Sequence, residues 1–123
     1  MTVTEIQEIA KAKVKVFIDD EFAFVLYKGE LRTYGIREEK ELSEETYHVI
    51  LDEVLTKRAK LRCMYLLKSR DYTKHELAQK LRKEYYSEEI IERAVTYVAS
   101  YGYVDDIRYA KAYIHYAGKT KSR

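Results

Sequence analysis

The chain has 123 residues, 46% of them apolar and 36% charged, which suits one domain with a modest core and is too apolar for a disordered segment. No apolar run approaches the ~18 residues of a membrane span and no signal-peptide pattern opens the sequence, while the lone Cys63 has no internal disulfide partner and fits a reducing cytoplasm. A net charge of +2 hides an asymmetry, since residues 1–56 carry 7 basic and 13 acidic side chains and residues 57–123 carry 16 and 8; a basic second half meets nucleic acid or an acidic protein groove, or the two halves are simply solvated faces.

The chain opens with strand patterns. Lys13 to Ile18 alternates lysine with valine, and Glu21 to Leu26 puts Phe22, Phe24 and Leu26 at alternate positions. Two such runs around Asp19-Asp20 predict a β-hairpin, with Asp20 tolerating the positive φ that glycine usually supplies. Thr2 to Ile9 does not alternate cleanly and is taken as a third strand, because a lone hairpin is marginal in water. Helical patterns follow. Gly29 and Gly35 bound a short helix. Ser43 is placed to cap a helix carrying Tyr47, Ile50, Leu51, Val54 and Leu55, continuing into a stretch from Ala59 to Ser69 with Ala59, Cys63, Leu66 and Leu67 on its buried stripe. Cys63 on that stripe reads as core rather than as a nucleophile.

Thr73 to Glu76 has the form of a capping box, and Leu77 and Leu81 then lie one above the other. Ser87 caps the next helix, whose stripe is Ile91, Ala94, Val95 and Val98, and Gly102 suits the left-handed position that ends it. Asp105 and Asp106 open a last helix with an apolar stripe of Ile107, Ala110 and Ile114 and a basic one of Arg108, Lys111 and His115. Adjacent carboxylates do not converge on one helix face, so Asp105 and Asp106 read as a cap and first-turn charge rather than as a catalytic pair.

Leu66 to Leu81, LLKSRDYTKHELAQKL, carries Arg70, Thr73, Glu76, Leu77, Lys80 and Leu81 in the spacing Leu-x-x-Arg, Ser/Thr cap, Glu-Leu-x-x-Lys-Leu. An Ile-rich helix follows, then Gly102, Asp105, Asp106, Arg108, Tyr109 and Ala110. The combination resembles the RecX family, regulators of the bacterial RecA recombinase, and the VKVFIDDEFAFVL strand pair resembles the segment that precedes the family's first repeat. The sequence departs from the family pattern in two small places: Tyr85 stands where a glycine is usual, and Asp19-Asp20 stands where Asp-Gly is frequent. The implied fold is α+β and mostly α. A small N-terminal antiparallel β-hairpin or three-stranded sheet with leading helices occupies residues 1–56. A three-helix repeat spans 57–104, and 105–123 is the first helix of a following, truncated repeat with a basic tail. The apolar side of Ile107, Tyr109 and Tyr113 would then lack a stacked neighbour and favour self-association.

The resemblance implies a cytoplasmic binding protein without cofactor or metal, not an enzyme, that lies in the groove of the RecA nucleoprotein filament and inhibits recombination and coprotease activity in DNA repair and the SOS response. The basic residues offered to that partner are Arg62, Arg70, Lys74, Arg82, Lys83, Arg108, Lys111, Lys119, Lys121 and Arg123; the bland reading of each is a solvated surface charge. For Arg70 it is pairing with Asp71 or with helix-end carbonyls. Thirteen tyrosines raise an alternative, a non-specific single-stranded nucleic-acid-binding module with bases stacked on Tyr72, Tyr85, Tyr86, Tyr101 or Tyr116, against the plainer role of half-buried packing. Such direct contact with single-stranded or duplex DNA would be weak and salt-sensitive. A helix-turn-helix regulator fits less well, because its recognition helix would begin with Glu88 and Glu89 facing phosphates. His48, His75 and His115 are scattered, with no metal-ligand spacing to Cys63.

Overall fold

Alternating apolar residues need an apolar layer on one side only, and the N-terminal third meets that need as a three-stranded antiparallel sheet. The computed structural model describes residues 1–102. β1 (Val3–Glu8), β2 (Lys13–Ile18) and β3 (Glu21–Tyr27) lie in the order β1-β2-β3. Val14, Val16 and Ile18 of β2 and Phe24 and Leu26 of β3 point into the core, and Lys13 is exposed on the opposite face. Both hairpin residues, Asp19 (φ 50°) and Asp20 (φ 68°), are left-handed, so the burden expected of Asp20 is shared by two residues. Sideways bonds hold the turn. The Thr2 amide donates to Asp19 Oδ1 at 3.0 Å, and the Asp20 amide donates to Thr4 Oγ1 at 2.9 Å.

α1 (Lys28–Thr33) begins one residue earlier than the glycine boundary suggested, with Gly29 inside its first turn. The cause is a cap: the Tyr27 amide donates to Glu30 Oε1 at 2.8 Å, which fixes Tyr27 as the residue before the helix. Gly35 (φ 64°) then closes it. The following loop returns to cover the free edge of β1. Val3 donates to the Lys40 carbonyl at 3.0 Å, and the Ile6 amide donates to Glu38 Oε2 at 2.8 Å. That edge is thereby closed to further strands.

α2 (Glu44–Val49) is capped by Ser43, whose hydroxyl accepts from the Thr46 amide at 3.1 Å. It runs without a break through a π-helical stretch, Ile50–Leu55, into α3 (Thr56–Ser69). At the junction the buried Thr56 donates both its amide and its hydroxyl to the Leu51 carbonyl, the hydroxyl at 2.6 Å, so its burial leaves no polar group unpaired. α4 (Lys74–Lys83) carries the capping box in full: Thr73 Oγ1 accepts from Glu76 and the Thr73 amide donates to Glu76 Oε1. α5 (Glu88–Ser100) is capped by Ser87 and followed by Gly102 at φ 77°.

α3 and α4 both pack on α5. Ala59, Cys63 and Leu66 meet Leu77, Leu81, Ile90, Ile91, Ala94, Val95 and Val98 in one core that is continuous with the inner face of the sheet. Each large apolar side chain fully buried there contributes ~1.5–3 kcal/mol relative to an exposed one. Leu67, expected on the stripe, is half-buried at its margin. The last helix expected from Asp105 onward lies outside the described residues.

Candidate functional site

The cationic residues on the three-helix unit do not form one stripe. They are sorted to two ends, because Arg62 and Arg70 are separated by about 12 Å along a helix. At one end Arg62 reaches from α3 to Glu84, just past α4. Its Nε donates to Glu84 Oε1 and Oε2 at 3.1 and 3.0 Å, and its Nη2 lies 2.9 Å from Oε2. This hydrogen bonding raises the Arg62 pKa above its ordinary value. Two residues before Glu84, Arg82 donates through Nε and Nη2 to Glu88, at 2.6 and 2.8 Å, and through Nη1 to Gln79 Oε1 at 2.7 Å. The Arg82 fork in turn holds the Glu88 carboxyl below the usual carboxylate range. Lys83 stands beside it, exposed and, among the described residues, without an ion-pair partner.

At the other end Arg70 follows α3. Its Nη1 donates to the Asp71 backbone carbonyl at 2.9 Å, its Nη2 lies 3.6 Å from Glu76, and its guanidinium sits 3.8 Å from the centroid of the Tyr72 ring. Lys74 is exposed on the first turn of α4. Arg108, Lys111, Lys119, Lys121 and Arg123 lie outside the described residues, as does Tyr116. Of the tyrosines offered for base stacking, Tyr72 is buried, Tyr86 is half-buried, and Tyr85 and Tyr101 are exposed.

A second feature escaped the sequence reading. A groove of about 500 Å³ runs between β3, α3 and the turn joining α4 to α5. Tyr27 stands at one end with Lys13 and Arg58 over its ring, at 5.7 and 4.6 Å from the centroid. Glu30, the residue that caps α1, also pairs with Arg58. Leu61 on the α3 wall is 60% exposed, and Tyr65 one turn on is 65% exposed. The lysines of KVKVFI signalled an outward cationic face, but nothing local in the sequence placed Arg58 across from it.

Titratable groups near the core are held in their neutral forms. Burial pushes the Cys63 thiol up to about 11 and the Tyr86 phenol up to about 12, so neither is a nucleophile near neutral pH. Among the described residues no group of three or more His, Cys, Asp or Glu is placed to hold a metal ion, and no helix is long and apolar enough to cross a membrane.

Compared with known proteins, residues 59–97 match the family model described as "RecX, first three-helix domain", which covers most of α3, all of α4 and most of α5. A protein named Regulatory protein RecX from Caldanaerobacter subterraneus subsp. tengcongensis is 36% identical over 115 residues, covering 93% of this chain and 58% of its own length. Its namesake from Clostridium acetobutylicum is 32% identical over 114 residues, covering 93% of this chain and 53% of its own. A solved structure titled "Crystal structure of regulatory protein RecX" superposes with a TM-score of 0.54 at 20% identity, over 97% of this chain and 60% of that one, and shares its fold. The chain thus spans about half the length of the curated relatives it matches.

Proposed function

Because the chain belongs to the RecX family, we propose that it is a regulatory protein that binds the RecA nucleoprotein filament and restrains recombinase and coprotease activity in DNA repair. The observation that carries this reading is the charge of the three-helix unit. Between residues 57 and 102 eleven basic side chains face six acidic ones, on helices whose apolar stripes are turned inward. A cationic outer surface on a rigid trio of helices suits a polyanionic groove. Arg62, Arg70, Lys74, Arg82 and Lys83 are the described residues offered to it, and Arg108, Lys111, Lys119, Lys121 and Arg123 extend the series. Repeats stacked in a longer chain would multiply the contact through effective concentration, so this length binds more weakly than a multi-repeat protein.

The test is a titration of the chain against RecA assembled on single-stranded DNA, against free RecA and against bare single-stranded DNA, at about 50 and about 200 mM salt. Preference for the assembled filament supports the reading; equal affinity for bare DNA or no filament binding rejects it. A second reading, sequence-independent contact with single-stranded nucleic acid, is favoured by the exposed rings of Tyr85 and Tyr101. It would show as binding to bare DNA that falls steeply with salt.

A further inference from the structure

Charge is placed unevenly within the acidic N-terminal half. Residues 1–56 hold seven basic side chains against thirteen acidic ones. Four of the seven, Lys28, Arg32, Arg37 and Lys40, line one depression of about 780 Å³ between α1, β1 and the loop that follows α1. Lys28, Leu31 and Arg32 share a face of α1 at spacings of three and four. Backbone bonds fix the loop that carries Arg37 and Lys40. The Ile36 amide donates to the Leu31 carbonyl at 2.8 Å, the Lys40 amide donates to the Arg37 carbonyl at 3.2 Å, and the Glu39 amide donates to the Val3 carbonyl at 2.6 Å. Pairing sets these cations apart as well. Among the described residues Arg58, Arg62, Arg70, Arg82 and Arg93 each form an ion pair with a carboxylate, and Lys28 pairs with Glu8. Arg32, Arg37 and Lys40 are exposed and, among the described residues, have no carboxylate partner. Like charges at i and i+4, as Lys28 and Arg32 are, destabilise a helix, so the stability of α1 does not account for the cluster.

We propose that this depression binds an acidic segment of a partner protein, with carboxylates on Arg32 and Arg37 and an apolar side chain against Ile6 and Leu31. The two guanidinium forks suit carboxylates, which they take through paired N–H donors. The one carboxylate among the lining residues, Glu38, already has an oxygen engaged by the Ile6 amide at 2.8 Å, so positive charge is left in excess and acidic ligands are favoured over basic ones. Ile6 and Leu31 are half-buried and supply an apolar surface beside the cations, which an acidic peptide can use and a simple anion cannot. No aromatic ring lines the depression, and single-stranded nucleic acid relies on such rings for base stacking. The site draws on none of the residues offered to the RecA filament.

The test is a titration of the full chain, followed by its amide resonances, with a blocked peptide of about eight residues carrying glutamates on both sides of a central leucine. Two controls accompany it: the same peptide with lysines for the glutamates, and one with serine for the leucine. The diagnostic protein carries Arg32→Gln and Arg37→Gln together, at exposed positions where no ion pair is lost among the described residues. The expected result is that the glutamate–leucine peptide binds and shifts the amide signals from Gly35 to Lys40, that both controls bind less well, and that the double variant weakens binding by about tenfold with an unchanged urea midpoint. Should the double variant unfold, Lys40→Glu must weaken binding instead. The proposal is overturned by no peptide binding, by equal binding of the lysine peptide, by shifts confined to other residues, or by a double variant that folds and binds like the parent. Inorganic phosphate bound as tightly as the peptide would overturn it in favour of a simple anion site, and displacement of the peptide by single-stranded oligothymidylate in favour of nucleic acid. A concentration-dependent dimer that the double variant abolishes would overturn it in favour of a second copy. RecA is absent from the assay, so failure here leaves the filament reading untouched.

Discussion

The Lys15 ammonium lies 4.4 Å from the centroid of the Tyr85 ring, joining the middle strand of the sheet to the turn between α4 and α5. Tyr85 is held there at φ 72°, a backbone region that β-carbon sterics disfavour by ~1–2 kcal/mol. Its ring also meets Phe22 edge-on, with centroids 6.3 Å apart. The strained backbone thus presents a side chain that links the two halves of the molecule, which accounts for tyrosine at a position suited to glycine.

Opposed terms of similar size predict a specific ranking. Tyr85→Gly relieves the backbone strain and loses the cation–π and ring contacts, each worth ~0.5–1.5 kcal/mol, so it stays within ~1 kcal/mol of the parent. Tyr85→Ala loses the same contacts and keeps the strain, and is less stable than the glycine variant by ~1 kcal/mol. Urea unfolding of the three proteins checks the order; an alanine variant more stable than the glycine one would contradict it.

Removing the Thr73 hydroxyl unties one half of the capping box that starts α4. Thr73→Ala is expected to lower stability by ~1 kcal/mol, and Thr73→Ser to restore most of it. Amide exchange at Glu76 reports the change locally, since that amide donates to Thr73 Oγ1.

Alkaline pH destabilises the fold. Burial raises the Cys63 pKa from 9.0 to about 11 and the Tyr86 pKa from 10.0 to about 12. Both groups are neutral when protonated, so between these values the unfolded chain has released protons that the folded chain retains. Stability is therefore undiminished by them below about pH 9 and falls as pH rises from there, by up to ~1.4 kcal/mol per pH unit for Cys63 alone. Cys63→Ala lowers stability at neutral pH through the lost packing but flattens the fall between about pH 9 and 10, before Tyr86 begins to contribute. Unfolding midpoints across that interval decide it.

Charge reversal on the helical face separates binding from folding. Lys83→Glu is expected to leave stability within ~0.5 kcal/mol of the parent and to weaken filament binding. Arg62→Glu sets two carboxylates against each other at Glu84, and about one third of each native side chain is exposed. It is expected to lower stability by ~1 kcal/mol. Parallel denaturation and filament titrations measure both. If Lys83→Glu bound as tightly as the parent, this end of α4 would not contact the filament.

Local chemistry was readable from the residues themselves. The Ser43, Thr73 and Ser87 caps, the left-handed Gly102, the β2–β3 hairpin and the inward stripe of α5 all appear where their patterns placed them. Each depends on contacts within about four residues or on a fixed period along one element. The start of α1 was missed by one residue because Glu30, three residues past the cap, governed it more than Gly29 did. What only the tertiary structure decided is the use of the charges. Arg62 finds Glu84 across 22 residues and Arg58 finds Glu30 across 28, so two cations that look free in the sequence are partly neutralised in the fold. The covered edge of β1 is of the same kind. Strand alternation foretells which side chains face the core, but whether an edge is closed, as at Ile6, depends on where a distant loop comes to rest.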